Sequence, residues 1–309
     1  MTALGHPLDL AGGCGFPARS RGRAGEEGVG ERDGIGAVIH FYETHPINEE
    51  QILHRLNAAG IPLDGLTEDV LQDHDQDHFG GLEQLDILAR KAGIGPETHV
   101  LDVCSGVGGP ARYLAQHYRC RVTGLDITEG RHRAALRFTR LVGLDHLVDF
   151  RLGNALEMPF EDASFDVVIS EEAFAHVPQK ARLIGECARV LRPGGRIAFT
   201  DIVCRDELAA EARARLEHEM TFLELETLDG YAGLLEAAGC TLLECQDLGP
   251  LWTRILKERL AMYRSLEDTT VEKFGLAHFQ RWDEAYAFFV GLFGQDQLTG
   301  GRFVARRAA

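Results

Sequence analysis

Two stretches of the chain concentrate residues able to do chemistry. In "QDHDQDHFGG", Gln72 to Gly81, two histidines and three aspartates precede a pair of glycines. His74 and His78 lie four apart, a spacing that would put both imidazoles on one helix face with Asp75 and Asp77 beside them, as in a metal site. The competing reading is a lid whose polar side chains face a ligand. In "VLDVCSGVGGPARYL" an apolar strand ends at Asp102, a turn follows through Gly106, Gly108 and Gly109, and a helix begins near Pro110. A turn so tight needs residues tolerant of positive φ, and the missing side chains let a ligand lie against backbone amides at the helix N-terminus.

The next strand, "TGLDIT", ends in Asp126, twenty-four residues beyond Asp102, where a carboxylate would accept hydrogen bonds from both hydroxyls of a ribose. A dinucleotide site shares that geometry. Its fingerprint, however, opens G-x-G-x-x-G directly after the strand, whereas this loop runs D-x-x-x-G-x-G-G with an acid before the first glycine. An acid there opposes a pyrophosphate and suits a cationic, amino-acid-like group.

The elements that must hold these residues alternate. "THVLDVC", "RCRVTGLDI" and "LVDFRLGNA" read as strands, separated by the helices "GPARYLAQHY" and "GRHRAALRFTRLVG". "SFDVVISEEAF" follows as a strand, "KARLIGECARVL" as a helix stopped by Pro193-Gly194-Gly195, and "GRIAFTDIVC" as a further strand. Such alternation with short connections predicts a parallel sheet with helices on its faces. Leu208 to Thr227 and Leu251 to Gln295 read as helical additions around "CTLLECQDLG", and "GRFVARR" as the last strand. Upstream, Ala37 to Leu56 reads as helices broken at Pro46, with Asn48 as an N-cap and Gly60 closing the segment. Residues 1–36, rich in Gly, Arg and small side chains, show no periodicity and are expected to be a mobile tail.

The bulk numbers exclude several classes of function. Asp and Glu outnumber Lys and Arg by 48 to 32, so the field of the chain repels phosphate backbones and anionic lipid. No nucleic-acid partner is expected. Neither a membrane-spanning run nor the charged-then-apolar order of a signal peptide is visible, so no membrane partner and a cytoplasmic location are expected. The seven cysteines lack CxxC spacing and read as reduced, core or near-core thiols. The oligomeric state is not legible, which leaves a homodimer open.

Taken together, "VLDVCSGVGGPARYLA", "VTGLDIT", "GNALEMPFEDASFDVVISEEAFAHV" and "ECARVLRPGGRIAFTDI" resemble the class I S-adenosylmethionine-dependent methyltransferases. The resemblance spans roughly residues 80–203. It is greatest to the small-molecule branch that includes glycine/sarcosine/dimethylglycine, ubiquinone and sterol methyltransferases. It implies an α/β, Rossmann-like seven-stranded sheet with an antiparallel last strand, an N-terminal helical lid over 37–97, and a catalytic domain over 98–309 with helical insertions near 205–227 and 251–295. S-adenosylmethionine is the implied co-substrate and a small molecule the implied acceptor. Oxidoreductase chemistry with NAD on the same sheet is the rival, and a non-catalytic binding protein on this scaffold a second.

Residue roles follow from the resemblance. Gly106 and Gly108 would admit the methionyl part of the donor, with Asp102 reaching its amino group through a loop carbonyl or water. Asp126 would take the ribose, Asn154 and Ala155 the adenine edge and Ile127 its face, where a core role for Ile127 is the alternative. Glu171 would lie near the sulfonium. In place of a metal site, "DQDHFGGLEQLDILARKAGI" becomes the lid, with Gln76, His78 and Phe79 facing donor or acceptor and His74 and Asp75 solvated or capping the turn. His176 is the candidate general base, since an unperturbed imidazole titrates near pH 6.5; capping or packing is its alternative. Glu172 would neutralise a cationic acceptor. Glu219, Met220, Trp252, Arg254, Tyr263 and Arg264 are candidates for the acceptor pocket, Trp252 and Tyr263 as an aromatic wall and Arg254 as a clamp for a carboxylate. The expected acceptor is amino-acid-like, methylated at nitrogen or at a thioether sulfur. A quinol, or another oxygen or carbon acceptor, is the alternative.

Overall fold

The computed structural model describes residues 34–43, 48–76 and 78–309. Most of the expected tail, with Cys14, Pro46 and Asp77, lies outside them. Four helices lead in: α1 (Ile35–Glu43), α2 (Glu49–Ala58), α3 (Glu68–Asp75) and α4 (Gly81–Ala92). The doubly wound part follows as β1 (His99–Val103), α5 (Gly109–Tyr118), β2 (Arg121–Asp126), α6 (Glu129–Leu141), β3 (Val148–Leu152), β4 (Phe165–Glu171), a 3-10 turn at Phe174–His176, α7 (Lys180–Val190) and β5 (Leu191–Cys204). Then come α8 (Ala210–Met220), α9 (Leu228–Ala237), β6 (Cys240–Asp247), α10 (Gly249–Ser265), α11 (Glu267–Phe274), α12 (Leu276–Gly294) and β7 (Leu298–Arg307).

All seven strands form one sheet in the order β3-β2-β1-β4-β5-β7-β6. β7 inserts between β5 and β6 and runs antiparallel to both; the other pairs are parallel. Helices cover both faces, which is why β1 and β4 read as unbroken apolar runs rather than alternating ones. Leu101, Val103, Val168, Ile197 and Phe199 pack on one face against α7 and α9. Val100, Val122, Val167, Ile169 and Ala198 pack on the other against α4 and α5. A third cluster, with Trp252, Leu256, Phe289 and Phe293, joins α10 to α12 beyond the end of β5. Among the described residues no helix is long and apolar enough to cross a membrane.

Several local expectations change. α7 ends at Val190 and β5 begins at Leu191, so Pro193-Gly194-Gly195 sits at the strand's edge instead of stopping the helix. Pairing of Phe165 with Leu191 and then of Val167 with Arg196 shows the irregularity the three residues create. The helix over Leu208–Thr227 is shorter, and α9 was unforeseen. α3 stops at Asp75, so His74 and His78 share no helix face, and no group of metal ligands forms among the described residues. Asn48 does cap α2, accepting from the Gln51 amide at 3.0 Å; such caps contribute about 1 kcal/mol. Cys120, Cys187, Cys204 and Cys240 are buried, Cys104 is half-buried and Cys245 is exposed, on the edge strand β6.

Candidate active site

The turn after β1 is built as the glycines suggested. Cys104, Gly106 and Gly108 all adopt positive φ (63°, 55° and 83°), and the Gly108 amide donates to the Ser105 carbonyl at 2.9 Å. Asp126 ties this loop to its own turn: one oxygen accepts from the Gly106 amide at 2.9 Å, the other from Thr128 at 2.8 Å. Each oxygen keeps a lone pair beyond its single backbone donor. Gly106 and Gly108 divide the labour. A Cβ on Gly108 would strike the Phe150 ring at 2.6 Å, so this residue clears space for packing, and it does not line the cavity described next.

A cavity of about 270 Å³ opens over the carboxyl ends of β1, β2 and β4. Asp102, Gly106, Asp126, Ile127, Asn154, Ala155 and Glu171 line one half of it, together with Ser105 and Asp75. Three buried carboxylates, Asp75, Asp102 and Glu171, each keep one oxygen with no protein partner. Buried acceptors are normally satisfied, so three carboxyls with an unpartnered oxygen around one cavity make it the candidate place for a ligand that carries donors. Burial pushes the Asp102 carboxyl up to about 7 and Glu171 up to about 8, opposed in both by His78.

These shifts carry a sign for stability. Both groups bind their protons more tightly folded than unfolded, so stability falls as pH rises from about 4 through 7 to 8 and levels off above. The double variant Asp102→Asn, Glu171→Gln is therefore expected to flatten the decline in melting temperature between about pH 5 and 8. An unchanged slope would show that the two carboxyls are ionised throughout.

Around His176 the chain brings together residues far apart in sequence. Its Nδ1 lies 3.1 Å from the Thr221 carbonyl oxygen and its Nε2 2.8 Å from the Tyr42 hydroxyl. The carbonyl can only accept, so Nδ1 carries the proton, and Nε2 accepts from Tyr42. The turn bearing His176 is anchored by Lys180, a buried ammonium that donates to the carbonyls of Phe174, Val177 and Glu224 at 2.7, 2.5 and 2.7 Å. Asp201 completes the support, accepting from Ala175 at 3.1 Å and from the Tyr231 hydroxyl at 2.7 Å.

The opening stretch of acids and histidines folds over the end of β4. Glu172, at φ 52°, accepts from the Phe79 amide at 2.7 Å and lies 3.6 Å from His78 Nδ1. Arg259 on α10 donates to the His78 carbonyl at 2.8 Å and lies over the Phe79 ring. Asp75 is neither solvated nor a turn cap: it is buried and paired with Arg112. His74 offers its carbonyl to Arg55 at 3.3 Å.

His78, Phe79, Glu172, His176, Met220 and Tyr263 thus border the cavity with the donor-half residues. Gln76, Trp252, Arg254, Glu219 and Arg264 do not. Trp252 is fully buried, its ring filling the space a Cβ on Gly300 would take. Arg254 points away from that packed face, exposed beside Glu258. Glu219 pairs with Arg215 and Arg264 with Asp283. Sequence reasoning missed Phe41 and Tyr42 on α1, Arg131, Phe222, Arg259, and the α12 stripe Trp282, Tyr286 and Phe289. The four-then-three spacing of that stripe was the available signal, although it reads equally as core.

Known proteins resemble the chain in the same region. Residues 101–199 match the family described as "Methyltransferase domain". The glycine/sarcosine/dimethylglycine N-methyltransferase of Actinopolyspora halophila is 35% identical over 161 residues, which cover 52% of this chain and 28% of that protein. Methyltransferase GfsG of Streptomyces halstedii is 40% identical over 152 residues, covering 48% and 55%. The chain spans about half or less of the length of these curated relatives. Phosphoethanolamine N-methyltransferase 2 of Haemonchus contortus, solved with S-adenosyl-L-methionine, superposes with a TM-score of 0.67 at 23% identity over 75% of this chain and 54% of that one, a likeness of fold. The glycine turn, the strand-end acid and the antiparallel β7 are all in place, and residues 101–199, which hold the first two, are the part of the chain that is similar to a methyltransferase domain.

Proposed function

We propose that the chain transfers the methyl group of S-adenosylmethionine to a small molecule held between α1 and α12. The observation that carries this reading is the set of three buried carboxylates, each with one oxygen lacking a protein partner, that line the same cavity as the glycine turn, Tyr42 and His176. A ligand with an ammonium, ribose hydroxyls and a sulfonium offers what that set lacks. A nicotinamide dinucleotide would bring a pyrophosphate, which offers acceptors only, to a place where Asp75 and Asp102 each have an oxygen lacking a donor.

Bound here, the donor supplies a methyl carbon already activated by its sulfonium. Asp126 would hold the ribose through its remaining lone pairs, Asp102 the amino group, and Asn154 the adenine edge, although Asn154 Oδ1 already accepts from Leu156 at 2.9 Å. Glu171 would face the cationic centre. The Tyr42 hydroxyl, held by His176, would align the acceptor and receive its proton. Alignment and exclusion of water supply most of the rate in a displacement of this kind. Every residue invoked comes from one chain, so the reading requires no homodimer. Relatives named for glycine derivatives support an amino-acid-like acceptor; the cavity wall supports another class, argued below.

The first test is transfer of labelled methyl from S-adenosylmethionine, preceded by calorimetric titration with S-adenosylhomocysteine. Asp126→Ala is expected to weaken the homocysteine product's affinity by about 1.5–3 kcal/mol, roughly 10- to 150-fold, the worth of hydrogen bonds to a charged group. Unchanged affinity would remove Asp126 from the site. A second expectation concerns protons. Near pH 7 the cationic donor should drive protons off Asp102 and Glu171, and the product, lacking the sulfonium charge, should release fewer. Titrations in buffers of different ionisation heat count them, and equal release by the two ligands would sink the assignment of Glu171.

A further inference from the structure

The acceptor half of the cavity is walled by rings from separate elements. α12 presents Trp282, Tyr286 and Phe289, with Trp282 and Tyr286 stacked at 5.1 Å and 18°. Tyr263 of α10 meets Trp282 edge-on at 4.6 Å. Phe222 lies 5.1 Å from the His176 ring and 5.7 Å from Phe289, and so joins the α12 stripe to His176. The proton-accepting pair therefore sits at the edge of an aromatic box.

The electrostatics of the box oppose an anionic acceptor. Glu172 lines the cavity and accepts from the Phe79 amide, and a carboxylate or phosphate entering beside it would be repelled. Two guanidiniums reach the wall, and each lies over one of its rings: Arg131 over Tyr42 at 4.3 Å and Arg259 over Phe79 at 5.2 Å. Arg259 also holds the His78 carbonyl, and Arg254, which the sequence offered as the carboxylate clamp, lies outside the cavity. What the wall offers is ring faces. Ring pairs attract beyond the apolar area they bury, in offset-stacked or edge-on arrangements.

We infer that the acceptor is a neutral, ring-bearing alcohol or phenol whose body stacks in the box and whose hydroxyl meets Tyr42. This rests on the methyl-transfer reading above and narrows it. In the step, a lone pair of the acceptor oxygen forms the new O–CH₃ bond as the S–CH₃ bond breaks and its electron pair returns to sulfur. The hydroxyl proton passes to the Tyr42 oxygen while the Tyr42 proton moves to His176 Nε2, leaving a neutral ether, S-adenosylhomocysteine and an imidazolium. Water then discharges the imidazolium.

The test uses the full chain saturated with S-adenosylhomocysteine, titrated calorimetrically with 4-cyclohexylphenol and separately with dimethylglycine and phosphoethanolamine. The phenol is expected to bind at least tenfold more tightly than either charged compound, and labelled methyl should appear on it as an aryl ether. Trp282→Ala should weaken the phenol tenfold or more and leave homocysteine-product affinity unchanged. Should that variant fail to fold, Tyr286→Leu is read the same way. Tighter binding of dimethylglycine or phosphoethanolamine, label on their nitrogen, no binding of the phenol, or indifference of the phenol to both variants would overturn the inference while leaving the donor site standing. Failure of the homocysteine product itself to bind would instead overturn the methyl-transfer reading beneath it.

Discussion

Replacing Arg112 by methionine should lower the unfolding free energy by about 3–5 kcal/mol, the usual cost of stripping one partner from a buried ion pair. Arg112 is fully buried near the start of α5. Its Nε donates to Glu68 at 2.8 Å, its Nη1 to the Val107 carbonyl at 2.7 Å and its Nη2 to Asp75. Without it, two carboxyls from α3 face each other in a dry interior, where burial already pushes Glu68 up to about 8. Methionine fills similar volume, so the loss measures charge more than packing. Adding Glu68→Gln and Asp75→Asn should recover a substantial part, because neutral amides cost less to bury. A urea transition in which Arg112→Met shifts stability by less than about 1 kcal/mol would show that the three groups do not act as a unit.

Loss of the Tyr42 hydroxyl should be the largest effect on turnover. Tyr42→Phe keeps the ring that lies against Arg131 and His176 and removes only the oxygen proposed to meet the acceptor. A positioned proton acceptor contributes about 10²- to 10⁴-fold, so kcat should fall by that factor with donor affinity unchanged. His176→Ala should fall as far, and the double variant little further, because the two act in series. Multiplicative losses, or a Tyr42→Phe enzyme with ordinary kcat, would remove the pair from the chemistry.

What could be read from the sequence was what local geometry dictates. Gly106 and Asp126 were recognisable because a strand, a glycine turn and a helix dictate one another within a few residues, and the bond that joins the two is a consequence of adjacent parallel strands. Tyr42 was not, because its partner His176 lies 134 residues away and nothing in "HFYE" separates a cavity tyrosine from a packing one. Asp75 failed for the same reason: in a run of acids, the one that meets a buried arginine looks like its neighbours. Trp252 and Arg254 were misplaced by composition. Their helix turns Trp252 and Leu256, one turn apart, into the core, and the intervening arginine then faces water. The aromatic wall came instead from α12, whose stripe was legible as a face but not as the lining of a space.

Lys180 has a consequence for traffic through the site. One ammonium grips the backbone on both sides of His176 and on the strand of chain after α8. Prising those two pieces apart would break the charge-assisted bond to Glu224 together with the bond from His176 to the Thr221 carbonyl, so this flank behaves as a hinge post. α1, by contrast, buries only Val38 among its nine residues. The doorway is therefore expected at α1, and each swinging of that helix would carry Tyr42 off His176, so that an open site is also a disarmed one.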